Sequence, residues 1–389
     1  MTDPAGQLRR IAWDEVFPWL IIFRCFRIAI SPSLLALATV AVLISPLGWQ
    51  LSAKLFLSTE ALERQLPHSH LVEALPPAIQ SWLPSVTENP FFATYLELAE
   101  PLARLFRLEF TLSETAFYFC GLLWTMAIWS FPAGVITRRA IVQLATDEPL
   151  GIGSAAMFAG SKYASYFLTP FYPLLGLVLL ALPIACLGLV VWLLPGIGAA
   201  LAGVSWLLVI VAGAAAMWLV GGLMLGFPLM WPTISAERDG DPFEAFSRSY
   251  AYVYGKPLHY FFYAIVAALF GALSFIVVLL AVVIVREFGF WALSWGTGGP
   301  LAEQLRSDVT RFLEVGEFDS TRSALWKTGA TLIALLIYVL QSVSSAFRFS
   351  YFFCAASAIY LLLRHDVDEK EMDEVFVEPK ITTAPDANP

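Results

Sequence analysis

The chain is poor in charge. Of its 389 residues, 14% are Asp, Glu, Lys or Arg, whereas 58% are hydrophobic. Soluble domains usually carry about 25% charged residues. A water-soluble fold could not bury so much apolar surface, so the composition excludes an ordinary soluble protein and predicts that a bilayer is the solvent. The net charge of −8 argues against a nucleic-acid partner.

Cysteines and catalytic motifs are scarce as well. The four cysteines lie in apolar runs without a CxxC pair, which predicts small buried hydrophobes rather than disulfides or metal ligands. The chain has no Gly-rich phosphate loop, HExxH or GxSxG motif. His68 and His70, near Glu63 and Glu73, could bind a metal, but the neighbouring prolines indicate irregular chain. We therefore predict no catalytic residue, no metal site and no cofactor, and expect a non-enzymatic protein.

Long hydrophobic runs are what the sequence has in abundance. A helix that crosses a bilayer needs about 20 mainly apolar residues. Six segments qualify, and the chain is predicted to be an all-α, polytopic transmembrane helix bundle. The segments are 31–49, 115–136, 170–194, 203–229, 260–285 and 329–363. The uncharged stretch PGIGAALAG is expected to form a hairpin between the third and fourth spans.

Lys and Arg near short connections predict the orientation. They precede the first span, lie between spans two and three and between four and five, and follow the sixth. Both termini are therefore expected to be cytoplasmic, in the cytoplasmic membrane of a bacterium. The segment 50–112, which holds the amphipathic patch FATYLELAEPLARLFRL, and the segment 286–328 are expected outside. The first 33 residues are too mixed in charge for a cleaved signal peptide, so the chain is expected to be uncleaved.

A polar and aromatic island interrupts the hydrophobic runs at 231–262. Asp241 is a predicted helix N-cap, followed by Pro242 and by Glu244 at the third helical position. Gly255 and the proline two residues later predict the end of this helix. Arg248 follows Glu244 by four residues, which favours an ion pair. Together with Lys256, these residues predict a cytoplasmic interfacial amphipathic helix.

Three other segments complete the predicted organisation. Residues 1–30 are expected to form an N-terminal interfacial helix, because arginines at 24 and 27 make a full span costly. A span–interfacial helix–span arrangement occurs in 115–194 and again in 203–285, which predicts an internal repeat. The acidic tail 364–389 is expected to be largely disordered, although its first part could extend the sixth span. Docking of the tail on a basic partner is the alternative.

One pattern in the island carries a family resemblance. It has the form P…E…A..RS…G and consists of Pro232, Glu237, Ala245, Arg248, Ser249 and Gly255. It resembles the multi-pass membrane domain attached to some bacterial glycerophosphodiester phosphodiesterases and to related uncharacterised families. The resemblance covers about 228–275 and implies a membrane domain. The soluble barrel that carries catalysis in those enzymes has no counterpart here, so the resemblance implies no activity.

Arg348 is the candidate centre of an intramembrane polar site. It lies deep in an apolar run, where an arginine is expensive and needs a partner. We expect it to reach outward to the interface or to pair with Glu114 or Glu287. Gln341 and Ser344 precede it and could join helices or line a polar path. A structural role and a substrate or ion role both remain open from the sequence.

The expected function is that of a scaffold, accessory subunit or membrane-organising module. Its expected partners are membrane lipids and either another protein or a second copy of the chain. The alternative is a transporter of a small solute or lipid, with a site near Arg348 and helix breaks at Pro183 and Gly221. Glycine and proline are also ordinary in membrane helices, and Gly222 with Gly226 forms a GxxxG packing pattern.

Overall fold

The computed structural model describes residues 16–57, 88–105, 111–318 and 322–377. These residues are helical with no strand among them, which confirms the all-α prediction. Six helices are long and apolar enough to cross a membrane, which fits an integral membrane protein with the predicted number of spans. They are Pro32–Phe56, Leu112–Thr146, Tyr163–Leu193, Pro195–Ala236, Pro257–Thr297 and Ala324–Asp368, and the third of them consists of two consecutive helices separated by Thr169 and Pro170.

The helices are numbered here in chain order, after a short 3-10 turn at Pro18–Leu20. They are α1 (Ile21–Ala29), α2 (Pro32–Phe56), α3 (Pro90–Leu105), α4 (Leu112–Thr146), α5 (Ile152–Ser161), α6 (Tyr163–Leu168), α7 (Phe171–Leu193), α8 (Pro195–Ala236), α9 (Pro242–Gly255), α10 (Pro257–Thr297), α11 (Gly299–Val315) and α12 (Ala324–Asp368). The order long–short–long occurs in 112–193 and again in 195–297, and an internal duplication stays a prediction.

The chain divides into two compact units, which are described separately. Unit 1 contains Met1–Trp19, Thr137–Tyr260 and Ala356–Pro389. Unit 2 contains Leu20–Ile136 and Phe261–Ala355. The divisions fall within α4, α10 and α12, so each of these helices contributes residues to both units.

In unit 2, the amphipathic helix α1 packs by its apolar face. Cys25 and Ala29 are fully buried on that face, whereas Arg24 and Arg27 are exposed. The Cys25 thiol donates to the carbonyl of Cys354 at 3.4 Å. A helix with one buried face is therefore present at Ile21–Ala29, and its placement at a membrane interface stays a prediction. The first 15 residues lie outside the described ranges.

Helix α3 forms where the sequence shows an amphipathic patch. Asn89 precedes it and accepts a hydrogen bond from the amide of Phe91 at 3.0 Å, as a helix cap does. The Asn89 amide also donates to the carbonyl of Ala268 at 3.1 Å, which ties α3 to α10 within unit 2. His68 and His70, with the nearby glutamates 63 and 73, lie outside the described residues.

In unit 1, the turn between α7 and α8 is shorter than predicted. Only Leu194 separates the two helices, and PGIGAALAG forms the first turns of α8 instead of a loop. Pro195 starts α8 without loss of a hydrogen bond, because the first N–H of a helix has no partner within it. A side chain at Gly198 would overlap the backbone of Val191, so glycine permits this close turn.

Two further expectations are corrected. The fifth long helix continues past 285 to Thr297, carrying Arg286 and Glu287 inside the helix. These two side chains pair at 2.7 Å, which lowers the cost of placing charge near the end of a long apolar helix. None of the four cysteines forms a disulfide, but Cys186 is exposed and Cys120 is half-buried, whereas the sequence predicted that all four are buried.

Candidate functional site

Arg348 pairs with a residue that the sequence did not single out. Its Nη2 lies 3.2 Å from Oε2 of Glu97 on α3, in unit 2. The arginine side chain is 21% exposed and the glutamate side chain 53%. The expected partners Glu114 and Glu287 are therefore wrong, and Arg348 instead ties α12 to α3.

Glu114 serves as a helix cap. Its carboxylate accepts a hydrogen bond from the backbone N–H of Thr111 at 2.9 Å, and the hydroxyl of Thr111 lies 3.4 Å from the amide of Glu114. This reciprocal arrangement is a capping box, and it fixes the start of α4. The pattern T-x-x-E at 111–114 was visible in the sequence, and it is the signal that would have assigned Glu114 correctly.

Glu287 bridges two arginines of unit 2. Its Oε1 lies 2.7 Å from Nη2 of Arg286, and its Oε2 lies 3.2 Å from Nη2 of Arg306 on α11. Gln341 on α12 lines a cavity together with both arginines. All five of the predicted polar residues thus lie in unit 2, but only Glu287 and Gln341 belong to the same cluster.

The serine hydroxyls before Arg348 are satisfied within their own helix. Ser344 donates to the carbonyl of Gln341 at 2.7 Å, and Ser342 donates to the carbonyl of Tyr338 at 2.8 Å. Such back-bonding satisfies a hydroxyl in an apolar environment without a second helix. These contacts support neither the joining of helices nor a polar path through Ser344.

The predicted helix in the polar island is present in unit 1 as α9. Asp241 caps it by accepting the amide of Glu244 at 3.1 Å. Gly255 is its last helical residue, and Lys256 occupies the cap position. Tyr250 and Val253 are buried, whereas Phe243 in the first turn is 57% exposed. The Asp241 and Glu244 assignments are confirmed, and placement at a membrane interface stays a prediction.

Arg248 is the centre of an ion-pair cluster. Its Nη2 lies 2.6 Å from Glu244, as the spacing predicted, and its Nη1 lies 2.9 Å from Glu237 at the end of α8. Burial by itself lowers the pKa of Arg248, but the carboxylates of Glu237 and Glu244 more than offset this. The pKa therefore lies above its ordinary value, so the guanidinium stays charged throughout the physiological range.

Glu237 also faces a deeply buried arginine. Nη2 of Arg364, which is 4% exposed, lies 3.8 Å from the Glu237 carboxylate. Within the part of the chain that the structure describes, Nε and Nη1 of Arg364 and the hydroxyl of Tyr360 have no hydrogen-bond partner. The two residues are four apart on α12 and therefore share a helix face.

A second deeply buried arginine of unit 1, Arg138, is held by a hydrogen bond. Arg138 is 1% exposed, and its Nη1 donates to the carbonyl of Ser235 at 2.7 Å. The Ser235 hydroxyl lies 2.6 Å from that of Thr137 and 2.8 Å from that of Tyr166. This network joins α4, α6 and α8, and its residue types gave no such signal in the sequence.

The acidic tail reaches this arginine. The amide of Phe376 donates to the carbonyl of Ala236 at 3.0 Å. The Phe376 ring lies 5.5 Å from the guanidinium carbon of Arg138 and 5.8 Å from that of Arg238, within cation–π range. Residues 364–368 continue α12, as the sequence allowed, and residues 378–389 lie outside the described ranges.

The predicted helix breaks are absent. Helix α7 continues through Pro183, and α8 continues through Gly221. Helix α9 instead packs against Gly222 and Gly226. A side chain at Gly222 would overlap the Tyr250 ring, and a Cβ atom at Gly226 would lie 3.4 Å from the Cβ atom of Ser249. Proline and glycine are tolerated in membrane spans because neighbouring helices can satisfy the backbone groups that they free. Here, Gly222 and Gly226 allow α9 to pack closely on α8.

The residues of the P…E…A..RS…G pattern therefore meet within unit 1. Ser249 packs on α8, Glu237 pairs with Arg248, and Gly255 lies against Val367 of α12. No family model matches the chain, and no curated protein or solved structure gives a significant match. The resemblance to the phosphodiesterase-linked membrane domain stays a prediction.

Proposed function

We propose that the protein is a non-enzymatic integral membrane protein of the bacterial cytoplasmic membrane, with both termini in the cytoplasm. It acts as a scaffold or accessory subunit that holds a partner protein through lateral contacts between helices. The Lys and Arg distribution supports the orientation. The surface of the α7–α8 hairpin supports the mode of action.

The α7–α8 hairpin is apolar and open. No charged residue occurs from Tyr163 through Ala236. In the most apolar window of α8, only 11% of the residues are buried, compared with 61% in α4. A hairpin that leaves most of both helices uncovered offers more lateral surface than crossing a bilayer requires. Such a surface is suited to packing against another membrane helix.

Small residues make part of this surface a good contact for a helix. Ala199 and Gly203 are exposed and one helical turn apart, and a side chain at Gly203 would meet open space. Small residues four apart let two helix backbones approach closely in a membrane. Arg138 of unit 1, by contrast, makes an internal contact with Ser235. This surface is therefore better suited to lateral packing against a helix than to catalysis.

Affinity purification from native membranes in mild detergent, followed by mass spectrometry, tests the proposal. We expect a protein that co-purifies in a fixed ratio with the wild-type chain and is lost from Gly203→Leu, which fills the contact. Gly188→Leu, on the exposed part of α7 where a side chain also meets open space, is the matched control and should retain the partner. Purification of the wild type without any stoichiometric protein would refute a scaffold function.

Transport of a small solute or lipid is the second candidate. The cavity that Gln341 lines with Arg286 and Arg306 favours it, since a transporter needs a polar site in its helical region. The continuous helices at Pro183 and Gly221 offer it no support. Purified protein in liposomes that exchanges a small molecule or flips a labelled lipid, with loss in Gln341→Ala, would put transport first.

A further inference from the structure

Unit 2 contains a cavity of about 390 Å³ between α10, α11 and α12. This volume falls within the range of small-ligand sites, which measure about 300–1,000 Å³. Its wall combines two arginines with an apolar surface. The arginines are Arg286 and Arg306, and the apolar surface includes Phe290, Leu313 and Ile337.

The two arginines retain unused hydrogen-bond donors. Arg286 gives Nε and Nη2 to Oε1 of Glu287, at 2.9 and 2.7 Å. Arg306 gives Nη2 to Oε2 of the same carboxylate at 3.2 Å. A guanidinium has five N–H donors. One carboxylate between two guanidiniums therefore leaves both donors and positive charge available beside the cavity.

Two other acidic residues limit that charge. Glu303 is 72% exposed and reaches Arg306 only at 3.9 Å. Glu314 lines the cavity and forms no ion pair within the described ranges. Glu314 repels any anion, and the repulsion grows with the charge of the head, so the site favours a head with one negative charge over a head with several.

The side chain of Gln341, which also lines the cavity, suits a ligand head with one negative charge as well. Within the residues that the structure describes, the side-chain amide of Gln341 has no hydrogen-bond partner. An amide can donate to the oxygen of a carboxylate or phosphodiester. The apolar part of the lining disfavours a fully hydrated ion but can receive an alkyl chain. The cavity lining thus combines charged and polar side chains with apolar ones, which suits an amphiphile.

We propose that this cavity binds an amphiphile with a single negative charge on its head, carried by a carboxylate or a phosphodiester. The head is bound by Arg286, Arg306 and Gln341, and the alkyl chain lies along Phe290, Leu313 and Ile337. The site does not involve the α7–α8 hairpin and does not require a partner protein. It can therefore exist whether or not the scaffold function is correct.

Binding of labelled dodecanoate to the purified full-length chain in dodecyl maltoside tests this inference. We expect saturable binding that a single-chain phosphatidylglycerol displaces and that dodecanol and acetate displace only at much higher concentration. Displacement by the phospholipid at a lower concentration than by unlabelled dodecanoate would identify a lipid head as the better ligand and would still support the site. If dodecanol displaced the label as well as phosphatidylglycerol does, the site would not recognise charge, and the inference would be overturned. If acetate displaced the label equally well, the site would not recognise the alkyl chain, and the inference would also be overturned.

Two arginines on α11 provide a matched comparison. Arg306→Gln should weaken dodecanoate binding by about 10-fold, because it removes a charged hydrogen-bond donor from the site. Arg311→Gln, an exposed position on the same helix that does not line the cavity, should leave binding unchanged. Equal weakening by both substitutions would indicate surface charge alone and would overturn the inference.

A second variant avoids the Glu287 ion pairs. Gln341→Ala removes a side chain without a described hydrogen bond, so the fold should be retained even if Arg306→Gln disturbs it. We expect binding that is several-fold weaker, at an unchanged melting temperature. If binding were unchanged both in Gln341→Ala and in Arg306→Gln, this cavity would be excluded as the binding site. The purification test with Gly203→Leu reports on the scaffold separately, so failure of one proposal is distinguishable from failure of the other.

Discussion

The guanidinium of Arg248 lies 2.9 Å from the carboxylate of Glu237, across the turn that joins α8 to α9. The same carboxylate faces the buried Arg364 of α12 at 3.8 Å. One glutamate therefore neutralises charge from two helices in unit 1. This explains how a chain with few charges can hold a short polar helix against long apolar ones.

Glu237→Gln is expected to destabilise the protein by about 1–3 kcal/mol, because it leaves the buried Arg364 without its described ionic partner. Glu244→Gln removes only the more exposed pair of Arg248 and should cost about 0.5 kcal/mol. Thermal unfolding of both variants in detergent measures the difference. Equal melting temperatures for the two variants would show that Glu237 has no special role.

Two glycines of α8 should respond to the same substitution with opposite signs. Gly222→Ala places a methyl group against the Tyr250 ring and should destabilise by about 1–3 kcal/mol. Gly213→Ala meets open space and should stabilise by up to about 1 kcal/mol, because alanine favours a helix. Unfolding midpoints measure both effects. A neutral Gly222→Ala would mean that α9 does not pack on α8 at this position.

The pairing of Arg348 with Glu97 can be measured by a double-mutant cycle. Arg348→Gln and Glu97→Gln should show a coupling energy of about 0.5–1 kcal/mol, as partly exposed ion pairs do. The control cycle combines Arg348→Gln with Glu114→Gln. It should show no coupling, because Glu114 caps α4 and does not pair with Arg348. Coupling in the control cycle alone would contradict the assignment of Glu97.

Phe376 is expected to hold the tail against unit 1. In Phe376→Ala, hydrogen exchange of the backbone amides in 371–377 should become faster, because the ring no longer contacts Arg138 and Arg238. Val377→Ala changes an exposed neighbouring side chain and serves as the control. If exchange is already fast in the wild type, or unchanged in Phe376→Ala, the ring does not dock the tail.

Several features were predictable because they depend on neighbours in the chain. Asp241, Pro242 and Glu244 specify a helix start through hydrogen bonds that span three residues, and the structure contains that cap. The hydrophobic runs specify six long helices because length and apolarity can be counted directly. Helix ends were less certain: the fifth span continues past Arg286 because Glu287 beside it compensates the charge.

The candidate site depended on contacts between distant residues. Arg348 was identified from its cost in an apolar run, but its partner Glu97 is 251 positions away. Nothing in the local pattern marks Glu97 as that partner, because Glu97 lies within an amphipathic helix that is far from Arg348 in the chain. The network of Arg138, Ser235 and Tyr166 was likewise invisible in the sequence, since its members gain meaning only when α4, α6 and α8 meet.

The sequence by itself determined that this chain forms long apolar helices, six of which could cross a membrane, and the short capped helix α9 between two of them. That outcome follows from local hydropathy and capping, which act within a few turns of helix. Only the tertiary structure decided which charges pair, which glycines receive a neighbouring helix and which polar groups share a cavity. Those choices depend on packing between segments that are far apart in the chain, where no periodicity relates one residue to another.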